Sequence, residues 1–186
     1  MKKMTYVIIG LICICLVVGY YAYYTHEKSK KEEVELTEVQ KIILKDLSGK
    51  SYPATPREVV KFYNRIIACY YNEEFTDEEL RQLTDQARVL MDKELADNNP
   101  SEQYYQRVAS EVQSYRDNNL TITNVNISDT NDIQTIELDG KDCAYVNASY
   151  LVRKGSELVK TNQSYILRKD DEGKWRILAF ELVEGE

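Results

Sequence analysis

Side chains that could carry out nucleophilic chemistry are scarce in this sequence. Its one histidine, His26, lies in a charged stretch that directly follows an apolar run. A Ser–His or Cys–His system needs an imidazole within hydrogen-bond reach of the nucleophile, and a multi-histidine metal site needs several. We therefore predict no nucleophile system, no metal site and no cofactor in the part of the chain that folds.

Carboxylates are the remaining candidates for acid–base chemistry, since the chain has 31 Asp and Glu residues. Two of them in one cleft could act as general acid and general base. Most lie at helix starts and in turns, where capping and solvation explain them. Residues 129–132, DTND, begin like a calcium loop, but Ile133 replaces a ligand and no glycine follows. We interpret these residues as a surface turn and assign no catalytic residue.

Tyrosine is the most unusual feature of the composition, with 15 residues. A tyrosine has an apolar ring and a hydrogen-bonding tip, so it suits both a protein core and the wall of a ligand pocket. Ordinary packing in the core and at its rim is therefore the alternative for every one of them. We predict a pocket lined by Tyr104, Tyr105, Tyr145, Tyr150 and Tyr165.

The balance of charge argues against nucleic acid as a partner. The chain has 24 Lys and Arg residues against 31 Asp and Glu, a net charge of −7, whereas binding to phosphate backbones needs a basic stripe. The cysteines say less, because Cys13 and Cys15 lie in the apolar run and Cys69 and Cys143 lie far apart. The second pair could form a disulfide or remain two buried thiols, and both states stay open.

Residues 4–24, MTYVIIGLICICLVVGYYAYY, contain no charged side chain. As a helix this segment would span roughly 31 Å, close to the hydrocarbon thickness of a bilayer. Tyrosines near both ends resemble the aromatic belts of membrane proteins, and the small-x-small site of a cleaved signal peptide is missing. The sequence therefore predicts a transmembrane anchor at 4–24, after a cytoplasmic tail at 1–3 and before a stalk and linker helix at 25–54.

This anchor predicts a single-pass protein of the cell membrane with its C-terminal domain on the extracytoplasmic side. Two lysines precede the span and four follow it, a count that favours the opposite orientation. The short N-terminal tail favours export, because it resembles an uncleaved signal sequence. The predicted partners are membrane lipid through residues 4–24 and either a protein partner or further copies of the chain as a homo-oligomer.

The globular domain is predicted at 55–186, with helices first and strands after them. Thr55 and Glu58 form the clearest capping box, residues 76–79 open another helix that ends at 97–100, and Ser101 opens the next. The hydrophobic period then becomes alternating and predicts strands at 120–127, 133–139, 143–153, 158–169 and 175–183. Apolar residues on both faces of the last strand predict that it is central and covered. The predicted fold class is α+β.

This element order and the closing hairpin YILRKDDEGKWRILAF resemble the nuclear-transport-factor-2-like superfamily, also called SnoaL-like or cystatin-like, over about residues 55–183. The resemblance implies helices packed on a bent antiparallel sheet, a cone, after the N-terminal transmembrane helix. Enzymes of that superfamily commonly use a histidine in the pocket, which this chain lacks. The segments YPATPREVVKFYNRII and NEEFTDEEL are also similar to an uncharacterised family of single-span proteins of Gram-positive gut bacteria.

We expect from these features a non-catalytic, membrane-anchored extracytoplasmic domain that binds a protein partner or an envelope ligand through its helix–sheet concavity. One alternative is a small pocket enzyme, an isomerase or hydrolase, that uses carboxylates. Another is a scaffold subunit of a secretion or envelope assembly, because the layout resembles an assembly component of type IV secretion machines. Two convergent, desolvated carboxylates in a cavity would favour the enzyme, and a filled or shallow concavity would favour the binding module.

Overall fold

A computed structural model of the chain describes residues 17–21 and 36–183. The chain divides into two compact units, the first ending at Leu36 and the second beginning at Thr37. Within the first unit, residues 17–21 are helical. The second unit contains the remaining helices and strands described below, together with the candidate site.

Two capped helices open the second unit. Helix α1 spans Glu38–Ile43 and helix α2 spans Pro56–Asn72, with a 3₁₀ turn at Gly49–Ser51 between them. At the start of α2 the Glu58 N–H donates to Thr55 Oγ1 and the Thr55 N–H donates to Glu58 Oε2, both at 3.2 Å. These reciprocal bonds satisfy amides that the first helical turn leaves unpaired. The capping box predicted from the sequence is confirmed.

Three further helices follow: α3 at Asp77–Val89, α4 at Lys93–Asp97 and α5 at Ser101–Asp117. The prediction that one helix runs from residue 76 to residue 97 is wrong, because the chain leaves the helix at Leu90. There the Ile177 N–H donates to the Leu90 carbonyl at 2.8 Å, and the Asp92 N–H donates to the Ile177 carbonyl at 2.7 Å. This bridge to the last strand uses backbone groups that a continuous helix would need.

The sheet has five antiparallel strands: β1 Leu120–Ile127, β2 Gln134–Leu138, β3 Lys141–Lys154, β4 Glu157–Lys169 and β5 Trp175–Val183. Their order is β1-β3-β4-β5. The long strand β3 pairs with β1 through its second half and with β2 through its first half. Each predicted strand is confirmed to within two residues at either end.

The strand β5 lies at the edge of this sheet, since it pairs only with β4 among the described strands. The prediction of a central, covered strand is therefore wrong. Ile177 is fully buried where Leu90 and Asp92 pair with it, but Phe180 and Leu182 are 41% and 79% exposed. The apolar residues of β5 therefore have two different environments. Those near its start, such as Ile177, are buried, and those near its end, such as Leu182, are exposed.

The hydrophobic core lies between the helices and one face of the sheet. Successive residues of a strand alternate between its two faces, and Val146, Ala148 and Tyr150 of β3 are all buried on the same one. Tyr165 and Leu167 of β4 are buried with them and belong to one cluster that includes the apolar side of α2. We call this face of the sheet the inner face.

The fold class predicted from the sequence needs a correction in its first element. Helices that precede an antiparallel sheet agree with the α+β part of the prediction. The transmembrane helix does not stand, because none of the helices in residues 17–21 and 36–183 has the length and apolar character needed to cross a membrane. The two longest, α2 and α5, have 17 residues each and carry charged side chains along one side. The rest of the predicted span at 4–24 lies outside the described residues.

Candidate functional site

A cavity of about 730 Å³ lies between helices α2 and α5 and the inner face of the sheet. This volume falls in the range of ligand pockets, roughly 300–1,000 Å³. Its wall consists mainly of aromatic and aliphatic side chains, with Tyr63, Ile67, Tyr70 and Tyr71 from α2, Tyr104, Val108 and Tyr115 from α5, and Ile122, Tyr150, Val152, Val159, Phe180 and Leu182 from the strands.

Helical and strand periodicity together explain why these residues meet. On α5 the lining residues are Tyr104, Arg107, Val108, Glu111 and Tyr115. The last four lie three, four, seven and eleven positions along from Tyr104, a spacing that places them on one side of a helix. Eleven residues of helix correspond to a stripe roughly 16 Å long. On β4 the lining residues Val159, Thr161 and Gln163 alternate, as one face of a strand requires. The cavity is therefore bordered along this length of α5 and by the inner face of β4.

Two of the five tyrosines predicted to line a pocket, Tyr104 and Tyr150, are among the lining residues of this cavity. Tyr165 is fully buried behind it, with its hydroxyl oxygen 2.5 Å from that of Tyr150. Tyr105 lies under Arg81, whose guanidinium carbon is 3.9 Å from the ring centroid. Tyr145 lies opposite Gln134 and Ile166, on the face of β3 opposite the inner face.

Four other tyrosines line the cavity and were not identified from the sequence: Tyr63, Tyr70, Tyr71 and Tyr115. Their signal was present, since Tyr104 and Tyr115 share one side of α5, and Tyr63 and Tyr70 are seven residues apart on α2. Tyr71 and Tyr115 stack with ring centroids 3.9 Å apart, which joins the two helices at one end of the cavity.

The hydroxyls of Tyr150 and Tyr165 and the amide oxygen of Gln163 form one hydrogen-bonded group on the sheet side of the cavity. The hydroxyls of Tyr150 and Tyr165 both lie within reach of Gln163 Oε1, at 3.2 and 2.9 Å. Burial raises the pKa of Tyr150 to about 12 and the pKa of Tyr165 well above its usual value. Both phenols therefore stay protonated and neutral at physiological pH.

The helix side is less completely paired. The hydroxyl oxygens of Tyr63 and Tyr104 lie 3.5 Å apart, at the limit of a hydrogen bond. Tyr70 is 2% exposed, and its buried hydroxyl has no hydrogen-bond partner in the described part of the chain. Burial raises the pKa of all three phenols. The inner wall of the cavity therefore offers only neutral groups.

Charged residues occur only at the rim of this cavity: Arg107, Glu111 and Lys154, all exposed. Arg107 Nη2 donates a short hydrogen bond to Asn99 Oδ1, and its guanidinium carbon lies 5.8 Å from the centroid of Tyr104. Glu111 approaches Tyr71. The pKa of the Tyr71 phenol is raised mainly by burial and also by the negative charge of this carboxylate. Glu111 is the single carboxylate among the described lining residues, so the arrangement contains no acid–base pair.

A second, more open depression of about 650 Å³ lies beside helix α4 and is lined by charged residues. Arg168 Nη2 lies 2.5 Å from Asp92 Oδ1 and 3.2 Å from Glu94 Oε2, and Arg176 Nε lies 2.8 Å from Asp170 Oδ2. Burial acts to raise the pKa of Asp92, but the bonds from Arg168 and the Glu94 N–H outweigh it and lower the pKa. The contacts of Arg168 hold the start of α4 against the sheet, and the pair of Arg176 with Asp170 lies within the hairpin that joins β4 and β5.

Metal-ligating and nucleophilic side chains do not cluster in the part of the chain that the structure describes. No group of three or more His, Cys, Asp or Glu residues there is arranged to hold a metal ion. Cys69 and Cys143 are both buried and free, so the disulfide left open by the sequence is not formed. Burial raises the pKa of the Cys69 thiol to about 12, which keeps it protonated. His26 lies outside the described residues.

Comparison with known proteins gives a family and no assigned activity. No curated protein matches the chain. The model of one family, described as "Domain of unknown function (DUF6715)", matches residues 1–180. This match covers the helices that line the cavity, every described lining residue except Leu182, and nearly all of the sheet. The chain therefore belongs to the DUF6715 family.

Proposed function

We propose that this protein is a non-catalytic binding domain that holds an elongated, largely apolar molecule in the cavity between α2, α5 and the sheet. One observation carries the proposal: a cavity of about 730 Å³ whose wall is aromatic and aliphatic and whose charged groups lie only at the rim. Burial of apolar ligand surface against such a wall contributes about 25 cal/mol per Å² removed from water. The site therefore favours a ligand with a long apolar body.

The lining residues also bear on the alternatives. The pocket enzyme requires two convergent carboxylates, whereas Glu111 alone lines the described cavity and it is exposed. The filled or shallow concavity expected of the binding module is not found, and an open cavity of this size suits a molecule held inside it better than a protein partner that covers it. Several expectations from the sequence stay predictions. They are a protein partner or a homo-oligomer, a scaffold role in an envelope assembly, an extracytoplasmic location at the cell membrane, and the resemblance to the nuclear-transport-factor-2-like superfamily.

Filling the cavity tests this function. Thr161 lines the cavity from β4, and its neighbour Lys160 lies on the opposite face of the same strand. The full chain and its variants Thr161→Trp and Lys160→Trp would be titrated with the neutral fluorescent probe 1-N-phenylnaphthylamine in identical preparations. We expect Thr161→Trp to weaken binding about tenfold, since a steric clash in a packed site costs about 1–3 kcal/mol.

The matched variant Lys160→Trp adds the same indole outside the cavity and should bind the probe within about twofold of wild type. Because both variants keep every other apolar part of the chain, probe bound elsewhere affects them equally. Equal affinities for the two variants, or no saturable binding to the wild-type chain, would overturn the proposal.

A further inference from the structure

Arg107 lies at the rim of the cavity and has no acidic partner within 4.0 Å among the described residues. Several other arginines of the described chain bind carboxylates, as Arg65 does with Glu38, Arg81 with Glu102 and Arg168 with Asp92. Arg107 instead donates to the neutral amide of Asn99, which also lines the cavity. A guanidinium has five N–H donors in a planar fork that matches a carboxylate. One bond to an amide leaves most of those donors available.

Glu111 is the carboxylate that lines the cavity from the same side of α5. Glu111 lies one turn along from Arg107, but the two form no ion pair within 4.0 Å. Its carboxylate instead approaches the phenol of Tyr71. The guanidinium is oriented over the ring of Tyr104, inside the rim, by its bond to Asn99. The rim thus presents a positive group next to an apolar cavity.

The interior of the cavity does not suit a charged group of the ligand, so a charged head is not expected to be buried there. The inner wall carries only neutral phenols and the Gln163 amide, and the hydroxyls of Tyr150 and Tyr165 are already bonded to Gln163. An ion placed there would lose its hydration without gaining an opposite charge. A charged head group is tolerated only at the rim, where water still reaches it.

We propose that the ligand is an amphiphilic anion whose single linear apolar chain lies along α5 and whose anionic head is bound by Arg107 at the rim. This inference rests on the proposed function and adds the chemistry of the head group. With its head at Arg107, a chain laid toward Tyr115 would follow roughly 12 Å of helix. The second rim cation, Lys154, lies beyond the C-terminal end of α5. There it is the residue of β3 opposite Leu120 of β1 in the sheet register.

The test compares a charged and an uncharged ligand with the same chain length. Dodecanoate and 1-dodecanol would each displace 1-N-phenylnaphthylamine from the full chain at pH 8, where the carboxylate is ionised. We expect dodecanoate to bind roughly fivefold or more tightly than 1-dodecanol, as a partly exposed charge-assisted contact allows. Arg107→Gln should abolish that preference by weakening dodecanoate alone.

Two further variants place the contact. Lys154→Gln removes the other rim cation, and Arg153→Gln removes the adjacent charge on the opposite face of β3. Arg153→Gln, the control outside the cavity, should keep the preference for dodecanoate to within about twofold, and Lys154→Gln should reduce it much less than Arg107→Gln does. Three results would overturn the proposal that Arg107 binds the anionic head. They are equal binding of the two ligands by wild type, loss of the preference in Lys154→Gln, and equal weakening of both ligands in Arg107→Gln. Binding of 1-dodecanol by wild type would leave the proposed function standing in each of these cases, and binding of neither ligand would overturn both.

Discussion

At the scale of single residues, the buried tyrosines in and behind the cavity differ in whether their hydroxyls are hydrogen-bonded. Tyr150 and Tyr165 share hydrogen bonds with each other and with Gln163. Tyr70 is buried to the same degree, but its hydroxyl has no partner among the described residues. A buried hydroxyl stabilises the fold only when it is bonded, and otherwise it costs the free energy of its lost hydration.

This difference predicts opposite results for one chemical change. Tyr165→Phe should lower the free energy of unfolding by about 1 kcal/mol, because it removes one member of the Gln163 network. Tyr70→Phe removes an unpaired hydroxyl and keeps the ring, so the free energy of unfolding should stay the same or rise by up to about 1 kcal/mol. Urea unfolding of both variants measures this, with the half-buried Tyr145→Phe as the control. A larger loss in Tyr70→Phe than in Tyr165→Phe would contradict the assignment.

At the scale of elements, local signals in the sequence were sufficient wherever the cause of a structure is local. The capping box at Thr55 and Glu58 and the alternation along β4 predict elements that the structure contains. The end of α3 was missed because its cause is distant in sequence: Leu90 and Asp92 pair with Ile177. The apolar pattern alone continues through Met91 and Leu95 and gives no sign of that bridge.

The ion pair between Asp92 and Arg168 fixes the chain just after this bridge, and its contribution should depend on pH. The pKa of Asp92 is lowered in the folded chain, so the pair stabilises the fold above the unfolded pKa of about 3.9. That stability is lost as the pH falls through the lower, folded pKa. In Arg168→Gln the buried carboxylate loses its partner, and the free energy of unfolding at pH 7 should fall by about 1–3 kcal/mol.

The measurement is urea unfolding of wild type and Arg168→Gln at a series of pH values from 7 down to 3. The gap between the two chains should be largest above about pH 5 and should shrink as Asp92 becomes protonated. Arg153→Gln, which removes an exposed charge from the neighbouring strand, should stay within about 0.5 kcal/mol of wild type at every pH. A gap that is constant with pH would show that Arg168 acts by packing.

At the scale of the whole molecule, the site depends on relations between elements that a sequence pattern does not contain. The sequence identified tyrosine as the relevant residue type, and Tyr104 and Tyr150 do line the cavity. It did not separate Tyr104 from Tyr105 or Tyr150 from Tyr145, because that requires knowing which side of α5 and which face of β3 meet. Periodicity defines the two faces of an element, and only tertiary packing determines which one borders the cavity.

Because the cavity lies between the helices and the sheet, its occupant should stabilise the whole second unit. A ligand that binds only the native state raises the free energy of unfolding by about 2.7 kcal/mol at one hundred times its Kd. With 1-dodecanol at that concentration, we expect this increase in urea unfolding of the wild-type chain. The same concentration should leave Thr161→Trp nearly unchanged, since the indole occupies the site, while Lys160→Trp should respond like wild type. An equal shift in Thr161→Trp would mean that the alcohol acts on another surface, and no shift in wild type would mean that the cavity takes no apolar chain.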